Sequence, residues 1–592
     1  MAIRFRWGVT IPLRDGVHLN ATVYLPQNQR AAAPAILVLT PYISDVHHAD
    51  GMYFATHGNP FVVVDSRGRG NSQGEFRAFI QEAKDGHDVI EWLARQPYSD
   101  GKVAMWGGSY SGYAQWAAAK EFPPHLATIV PTAAPCLGTD FPMRNNIFYP
   151  FVIQWITLTR GRVAQVKILS DSAFWSDLYR EWFQSGRAFC ELDSLLGNPS
   201  RLFREWLSHP HQDAYWDAHN PTADEYARIA IPILTITGNY DDDQRGALEH
   251  YRQHMRWASP EARARHYLII GPWDHAGTQA PQVNFGGLTV AEGGALDLSK
   301  LHLEWYAWTM QAGRKPAFLR KPVAYYVMGA ERWRYADTLE GATARYASYF
   351  LDSAGYAHDV FLSGSLGVTP GTGRPDTYTY DPRNTKGAEV DAEVRSQGGS
   401  LVDQRLALAL HGKQLVYHSA PFSADTEITG FFKLSAWIDI DCPDTDLYVS
   451  IHEIGLDGGS IRLSTDAIRA RYREGLRTPK LIRTREPLLY DFERFTFISR
   501  QVKQGHRLRL IIAPIGRLID TTFVQKNFNS GGVVAEESVQ DARAVTVSLF
   551  HDCAHPSVLH VPLGWAESEG ERGAMDSPSV SLPGHEDTKW NR

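Results

Sequence analysis

A chain of 592 residues is longer than one hydrophobic core normally holds, so two or three domains are expected, and 43% hydrophobic residues supply material to fill them. A formal net charge of -7 with no long basic block argues against nucleic acid or an anionic membrane as partner and points to a small molecule. Cys136, Cys190, Cys442 and Cys553 lack C-x-x-C spacing, so neither a zinc ribbon nor a disulfide framework is suggested, which fits a reducing cytoplasm.

The first residues, Met1 to Trp7, lack the basic stretch and apolar run of a signal peptide, and no apolar run approaches membrane-spanning length. A cytoplasmic protein is therefore expected. From Val17 to about residue 135, apolar runs at 35–39, 61–64, 103–106 and 127–130 alternate with helical stretches such as 83–95. That alternation signals a mostly parallel sheet. After Pro135 the texture changes to Trp, Phe, Arg and Leu at helical spacing, through Trp155, Trp175, Trp182 and Trp206 to about Tyr226, which reads as a helical cap inserted into the sheet domain. Sheet character resumes at 231–236 and 266–270, and a helix is predicted over 298–310. Beyond about residue 322 come short alternating strands at 323–328, 346–351, 431–438, 447–452, 507–512 and 544–550, with no helices between them. They predict a β-sandwich of jelly-roll type. Residues 567–592 are polar and rich in Gly, Ser and Pro, so a disordered tail is expected.

The run Gly107-Gly108-Ser109-Tyr110-Ser111-Gly112 follows the apolar stretch 103–106 and reads as a strand turning sharply into a helix with a serine on the bend. Ser109 is the candidate nucleophile, the alternative being an ordinary Gly/Ser turn, and Ser111 holds the place of the last glycine in G-x-S-x-G. A serine needs a base, and the base needs a carboxylate, in the chain order Ser, acid, His with each at a strand end. Asp241 and His275 meet that demand, with Asp242 and Asp274 as reserve acids. One oxyanion donor is expected from the backbone N–H of Tyr110. The loop after the first apolar run has no His-Gly-Gly-Gly, so the second donor is the Tyr42 hydroxyl, unless Tyr42 is simply a loop aromatic. His47-His48-Ala49-Asp50 lacks the further ligands of a metal site and reads as loop. The stretch 65–74 lacks the lysine of a phosphate loop and reads as a structural turn beside the site.

Taken together, Arg14-Asp15-Gly16, Thr40-Pro41-Tyr42, residues 65–74, Gly107 to Gly112, Tyr240-Asp241 and Gly271-Pro272-Trp273-Asp274-His275 resemble the cocaine esterase and X-Pro dipeptidyl-peptidase family of serine hydrolases. The segments 325–333, 444–449, 469–473 and 507–514 resemble that family's C-terminal jelly-roll. The resemblance implies an α/β-hydrolase domain in two parts (1–137 and 227–321), a cap (138–226) and a jelly-roll (322–566). It further implies Ser109, Asp241 and His275 as the triad, Tyr42 and Tyr110 as the oxyanion hole, and neither cofactor nor metal. The expected substrate is an ester, an amide or a short peptide. The alternatives are an acyltransferase or biosynthetic enzyme using the same acyl-serine, or an X-Pro or aminoacyl peptidase. Asp243 stands where the related α-amino acid ester hydrolases carry a carboxylate for the substrate's ammonium, although Asp242 and Asp243 are equally compatible with exposed loop. Trp155, Tyr240 and Trp273 complete the expected substrate contacts. A homo-oligomer is compatible with these residues.

Overall fold

The computed structural model describes residues 3–27, 29, 31–385, 400–404, 413–514 and 524–566, so the expected tail lies outside the described residues. Aliphatic runs with no polar face must lie in a sheet covered on both sides. The antiparallel pair β1 (Ile3–Pro12) and β2 (His18–Pro26) forms one edge of such a sheet. Its centre is β3 (Ala33–Thr40), β4 (Phe61–Asp65), β5 (Ser99–Gly108), β6 (Leu126–Thr132), β7 (Ile233–Tyr240) and β8 (His266–Asp274). Two more strands, β9 (Val323–Val327) and β10 (Arg332–Ala336), complete the order β1-β2-β4-β3-β5-β6-β7-β8-β9-β10. From β4 to β9 every neighbouring pair is parallel.

Helices supply the two covers. Helix α1 (His48–Thr56) packs Phe54 and Ala55 against one face, while α2 (Glu82–Ala94) and α3 (Tyr110–Ala119) bury Val89, Ile90, Leu93 and Trp116 on the other. Residues after β6 leave the sheet to build the cap, which contains α4 (Phe151–Leu158) and α5 (Ser172–Ser185). The chain then returns through β7, α6 (Gln244–Trp257), β8 and α7 (Leu298–Met310), whose Leu301, Trp305 and Tyr306 join the α1 face. No helix among the described residues is long and apolar enough to cross a membrane.

The strand at 323–328, expected to open the jelly-roll, instead belongs to the first sheet. Val323, Ala324 and Tyr325 pair in parallel with Leu268, Ile269 and Ile270, and β10 closes the edge antiparallel to β9. All five residues of β9 are buried, which an inner parallel strand requires, and α7 supplies the crossover that makes parallel pairing reachable. The resemblance segment 325–333 moves to this sheet with it. The second β region begins at Arg345–Asp352 and runs to Val558–Leu563, which pair antiparallel with each other. The long strand Asp446–Ile454 lies between Ser460–Arg469 and Arg507–Pro514, and its Leu447, Val449 and Ile451 point into the region's core.

A buried polar junction ties this region to the cap. Asn145 and Asn146 take φ of 50° and 63° at the tip of a hairpin between Met143–Arg144 and Ile147–Phe148, a left-handed turn that asparagine tolerates well. The Asn145 amide donates to Asp466 Oδ1 at 2.9 Å and to the Ala467 carbonyl at 2.7 Å. Arg469 donates to the Asn146 carbonyl at 3.1 Å and grips Asp446 through two bonds of 2.8 and 3.0 Å. Arg469→Met leaves Asp446 buried without its guanidinium, at an expected cost of about 3–5 kcal/mol. Scanning calorimetry checks this as a lowered unfolding transition; an unchanged transition would show that the junction contributes little.

Candidate active site

The elbow is built from close approaches that admit no side chain. Gly107 has φ of 130°, and a Cβ there would lie 2.7 Å from that of Ser111; a Cβ on Gly112 would lie 2.7 Å from the Thr132 carbonyl oxygen. Between them Ser109 takes φ of 57° and ψ of -124°, a conformation unusual for a residue with a side chain. Its N–H donates to the Thr132 carbonyl at 3.0 Å, which fixes the turn to β6, and α3 begins at the next residue. Ser109 thus stands at the positive end of α3, on the wall of a cavity of about 590 Å³.

His275 lines the same cavity from the loop after β8. Its Nδ1 lies 2.8 Å from Asp241 Oδ1, at the end of β7. That carboxylate also accepts the Thr237 hydroxyl at 2.7 Å and the Asp243 N–H at 3.0 Å, so it is locked in place. Of the reserve acids, Asp274 accepts the Gly277 N–H within its own turn, and Asp242 lies 3.6 Å from Arg144. Asp241 is therefore the carboxylate on the imidazole. Asp243 Oδ2 approaches His275 Nδ1 at 3.8 Å. Burial pulls the imidazolium toward neutrality, but the Asp241 hydrogen bond and the charges of Asp243, Asp241 and Asp242 outweigh it and raise the pKa to about 10. Burial lifts Asp243 itself to about 7, against the pull of His275.

Tyr42 follows β3 and lies against Ser109. Its oxygen accepts the indole N–H of Trp155 at 3.0 Å and is within hydrogen-bonding reach of Ser109. Because an indole can only donate, the Tyr42 proton stays available, and burial raises the phenol to about 12, so it remains a donor. The Tyr42 loop is held by Arg69, a fully buried guanidinium that donates to the Pro41 carbonyl at 2.7 Å and to the cap's Thr159 carbonyl at 2.6 Å. The stretch 65–74 is therefore a brace between loop and cap. Tyr110 also lines the cavity, and its phenol donates to buried Glu82 and accepts the Phe79 N–H at 3.0 Å.

Trp155 lines the cavity with Phe79, Phe141, Tyr149 and Leu158, forming an apolar side to which the cap contributes most, and Asp243 faces the cavity beside Arg144. Two expected substrate contacts lie elsewhere. Trp273 is fully buried, donates to the Gly294 carbonyl at 2.8 Å and packs under the sheet; Tyr240 donates to the Arg462 carbonyl at 2.8 Å and packs against the second domain's core. Both aromatics close strands that run toward the site, but their rings point away from the cavity into cores. His47 and Asp50, expected in a loop, sit on a short 3-10 turn and on α1, and both line the cavity. Arg144, Trp106, Gln279 and His302 also face it, and nothing in their local sequence marks them.

A serine on a strand-to-helix elbow, an imidazole and a carboxylate on successive strand ends and a cap above them define a serine hydrolase of the α/β-hydrolase class. The chain belongs to the cocaine esterase and X-Pro dipeptidyl-peptidase family. Residues 15–277 match the X-Pro dipeptidyl-peptidase (S15 family), and residues 318–514 match the X-Pro dipeptidyl-peptidase C-terminal non-catalytic domain. Cocaine esterase of Rhodococcus sp. (strain MB1 Bresler) is 25% identical over 593 residues, covering 94% of this chain and 98% of that protein. An α-amino acid ester hydrolase shares the fold with a TM-score of 0.79 at 20% identity, covering 95% of this chain and 96% of the other. An aminopeptidase from a marine sediment archaeon of the Thaumarchaeota gives the same four values. The protein is a serine hydrolase acting on ester or peptide bonds.

The carboxylates around His275 carry a pH consequence. A nearby negative charge favours imidazolium, so removing the one on Asp243 lowers the pKa of His275. In Asp243→Asn, the acid limb of kcat/KM should move down by about one pH unit, and a full pH–rate profile checks it. A limb that stays in place or moves up would separate Asp243 from His275.

Proposed function

We propose that Ser109, His275 and Asp241 act as nucleophile, general base and orienting acid in acyl transfer to water. The single observation that carries this reading is the 2.8 Å contact of His275 Nδ1 with Asp241 Oδ1, in a cavity whose wall also holds Ser109. His275 Nε2 takes the hydroxyl proton as Ser109 Oγ bonds to the carbonyl carbon. The negative charge on the carbonyl oxygen is received by the Tyr42 hydroxyl and the Tyr110 N–H. As the carbon–oxygen or carbon–nitrogen bond breaks, the proton passes from His275 to the departing alcohol or amine. Water repeats the sequence on the acyl-enzyme and frees the acid. The aromatic, cap-dominated side suits a bulky apolar acyl group.

A second reading concerns the acyl half. Asp242 and Asp243 beside the base suit an acyl group bearing a free amine, whose ammonium would form charge-assisted hydrogen bonds there. Such a cation would also offset the charges that hold His275 protonated, so binding would release the base for its task.

The test is a panel of p-nitrophenyl esters and aminoacyl-nitroanilides, free and N-acylated. Wild type should release nitrophenol or nitroaniline and be labelled by a fluorophosphonate, and Ser109→Ala should lose both; labelling that persists at another serine would overturn the assignment. A rate advantage for free-amino acyl groups decides for the second reading. Tyr42→Phe should lower kcat roughly a hundredfold or more with a modest change in KM, as steady-state kinetics would measure. Unchanged turnover would remove Tyr42 from the oxyanion hole.

A further inference from the structure

The two tyrosines proposed for the oxyanion hole share a support that takes no part in lining the cavity. Glu82 opens α2 and is 3% exposed. Its Oε2 accepts the Gln81 N–H at 3.1 Å, and its Oε1 accepts the Tyr110 phenol. The direction of the second bond is fixed. The Phe79 N–H can only donate and reaches the phenol oxygen at 3.0 Å, so the phenol proton is turned toward Glu82.

Phe79 is held in a conformation that its own backbone disfavours. Its φ is 66°, in the left-handed region, which is uncommon for a bulky residue. Two hydroxyls of α3 clamp it there: Tyr110 accepts its N–H, and Tyr113 shares its proton between the Phe79 carbonyl at 2.8 Å and the His219 carbonyl at 2.9 Å. The Phe79 ring so placed lies 4.5 Å from that of Tyr110 and stacks on Trp155 at 5.3 Å. Trp155 also stacks on Tyr110, with centroids 5.8 Å apart and planes 16° apart, and donates to the Tyr42 oxygen at 3.0 Å. The indole that meets the Tyr42 hydroxyl therefore rests on Tyr110 and Phe79, and one phenol oriented by Glu82 fixes both. A buried carboxyl and a strained residue are each costly, and strain of this kind persists only where the surroundings over-determine it.

We propose that Glu82 is a positioning residue of the oxyanion hole: through the Tyr110 hydroxyl it sets the aromatic bed under Trp155, and so aims the Tyr42 hydroxyl at the substrate's carbonyl oxygen. The inference rests on the proposed role of Tyr42. Glu82 touches no substrate, so loss of its contact should lower turnover and leave substrate binding nearly intact. That loss should vanish once the Tyr42 hydroxyl is gone.

The experiment is steady-state hydrolysis of a p-nitrophenyl ester, with competent enzyme counted by fluorophosphonate titration so that kcat is read per reactive Ser109. Tyr110→Phe keeps the ring and loses only the hydroxyl, whereas Glu82→Leu loses the acceptor. Each should lower kcat about tenfold with KM within about twofold of wild type. Glu82→Gln keeps an acceptor oxygen and should recover most of the loss. Added to Tyr42→Phe, the Tyr110→Phe change should cost less than about twofold more, because both act through the same hydroxyl. A merely structural role would remove titratable sites or multiply its loss onto that of Tyr42→Phe. Unchanged kcat in Tyr110→Phe, independent losses in the double variant, or a Glu82→Gln loss as large as that of Glu82→Leu overturns the proposal. Should Tyr110→Phe and Glu82→Leu both fail to fold, Phe79→Leu removes a ring from the same bed and carries the same cycle with the same outcomes. A Tyr42→Phe enzyme with wild-type kcat would instead sink the oxyanion-hole reading, and this inference with it.

Discussion

The arrangement depends on one buried contact, the 2.8 Å bond between Asp241 and His275. A carboxylate inside a protein must have its oxygens met, and Asp241 meets this demand with the Thr237 hydroxyl, the Asp243 amide and the imidazole. The imidazole is thereby held with its other nitrogen free to face the cavity. β7 and β8 are parallel neighbours, so their carboxyl ends put Asp241 and His275 side by side although 34 residues separate them. The elbow at the end of β5 places the serine on the same edge.

Three parts of the chain interlock around the cavity. Arg69 joins the Tyr42 loop to the cap, Asn145 joins the cap to the second domain, and Arg245 on α6 reaches the Thr465 carbonyl at 3.1 Å. Asp466 gathers several of these ties, accepting Asn145 and the backbone N–H of Arg494 at 2.8 Å. The hairpin that the second domain grips also carries Arg144, a cavity residue. Among the described residues, the β domain therefore supports the cavity wall without lining it.

Much of this was legible in the residues, because Ser109, Asp241 and His275 each lie just past an apolar run and the runs alternate with helices. Ser109, Asp241 and His275 each carry a local mark. The sheet's last two strands were not legible: a five-residue run such as 323–327 has no feature separating an inner parallel strand from the first strand of a sandwich, and only its pairing with β8 decides. Tyr240 and Trp273 misled for a related reason. Both end strands that lead to the site, but the direction of a ring depends on a local break in register between Gly271 and Asp274 that no spacing reveals. That His302 faces the cavity was hidden altogether, since its place is fixed by an indole 196 positions away.

Trp155 serves two structures at once. It belongs to the cap helix α4, stacks on Tyr110 with ring centroids 5.8 Å apart, and donates its N–H to the Tyr42 oxygen. The roof and the Tyr42 hydroxyl are thus tied through one side chain. Any displacement of α4 away from the hydrolase body would break the Trp155–Tyr42 bond, so the position of that hydroxyl depends on the roof staying seated.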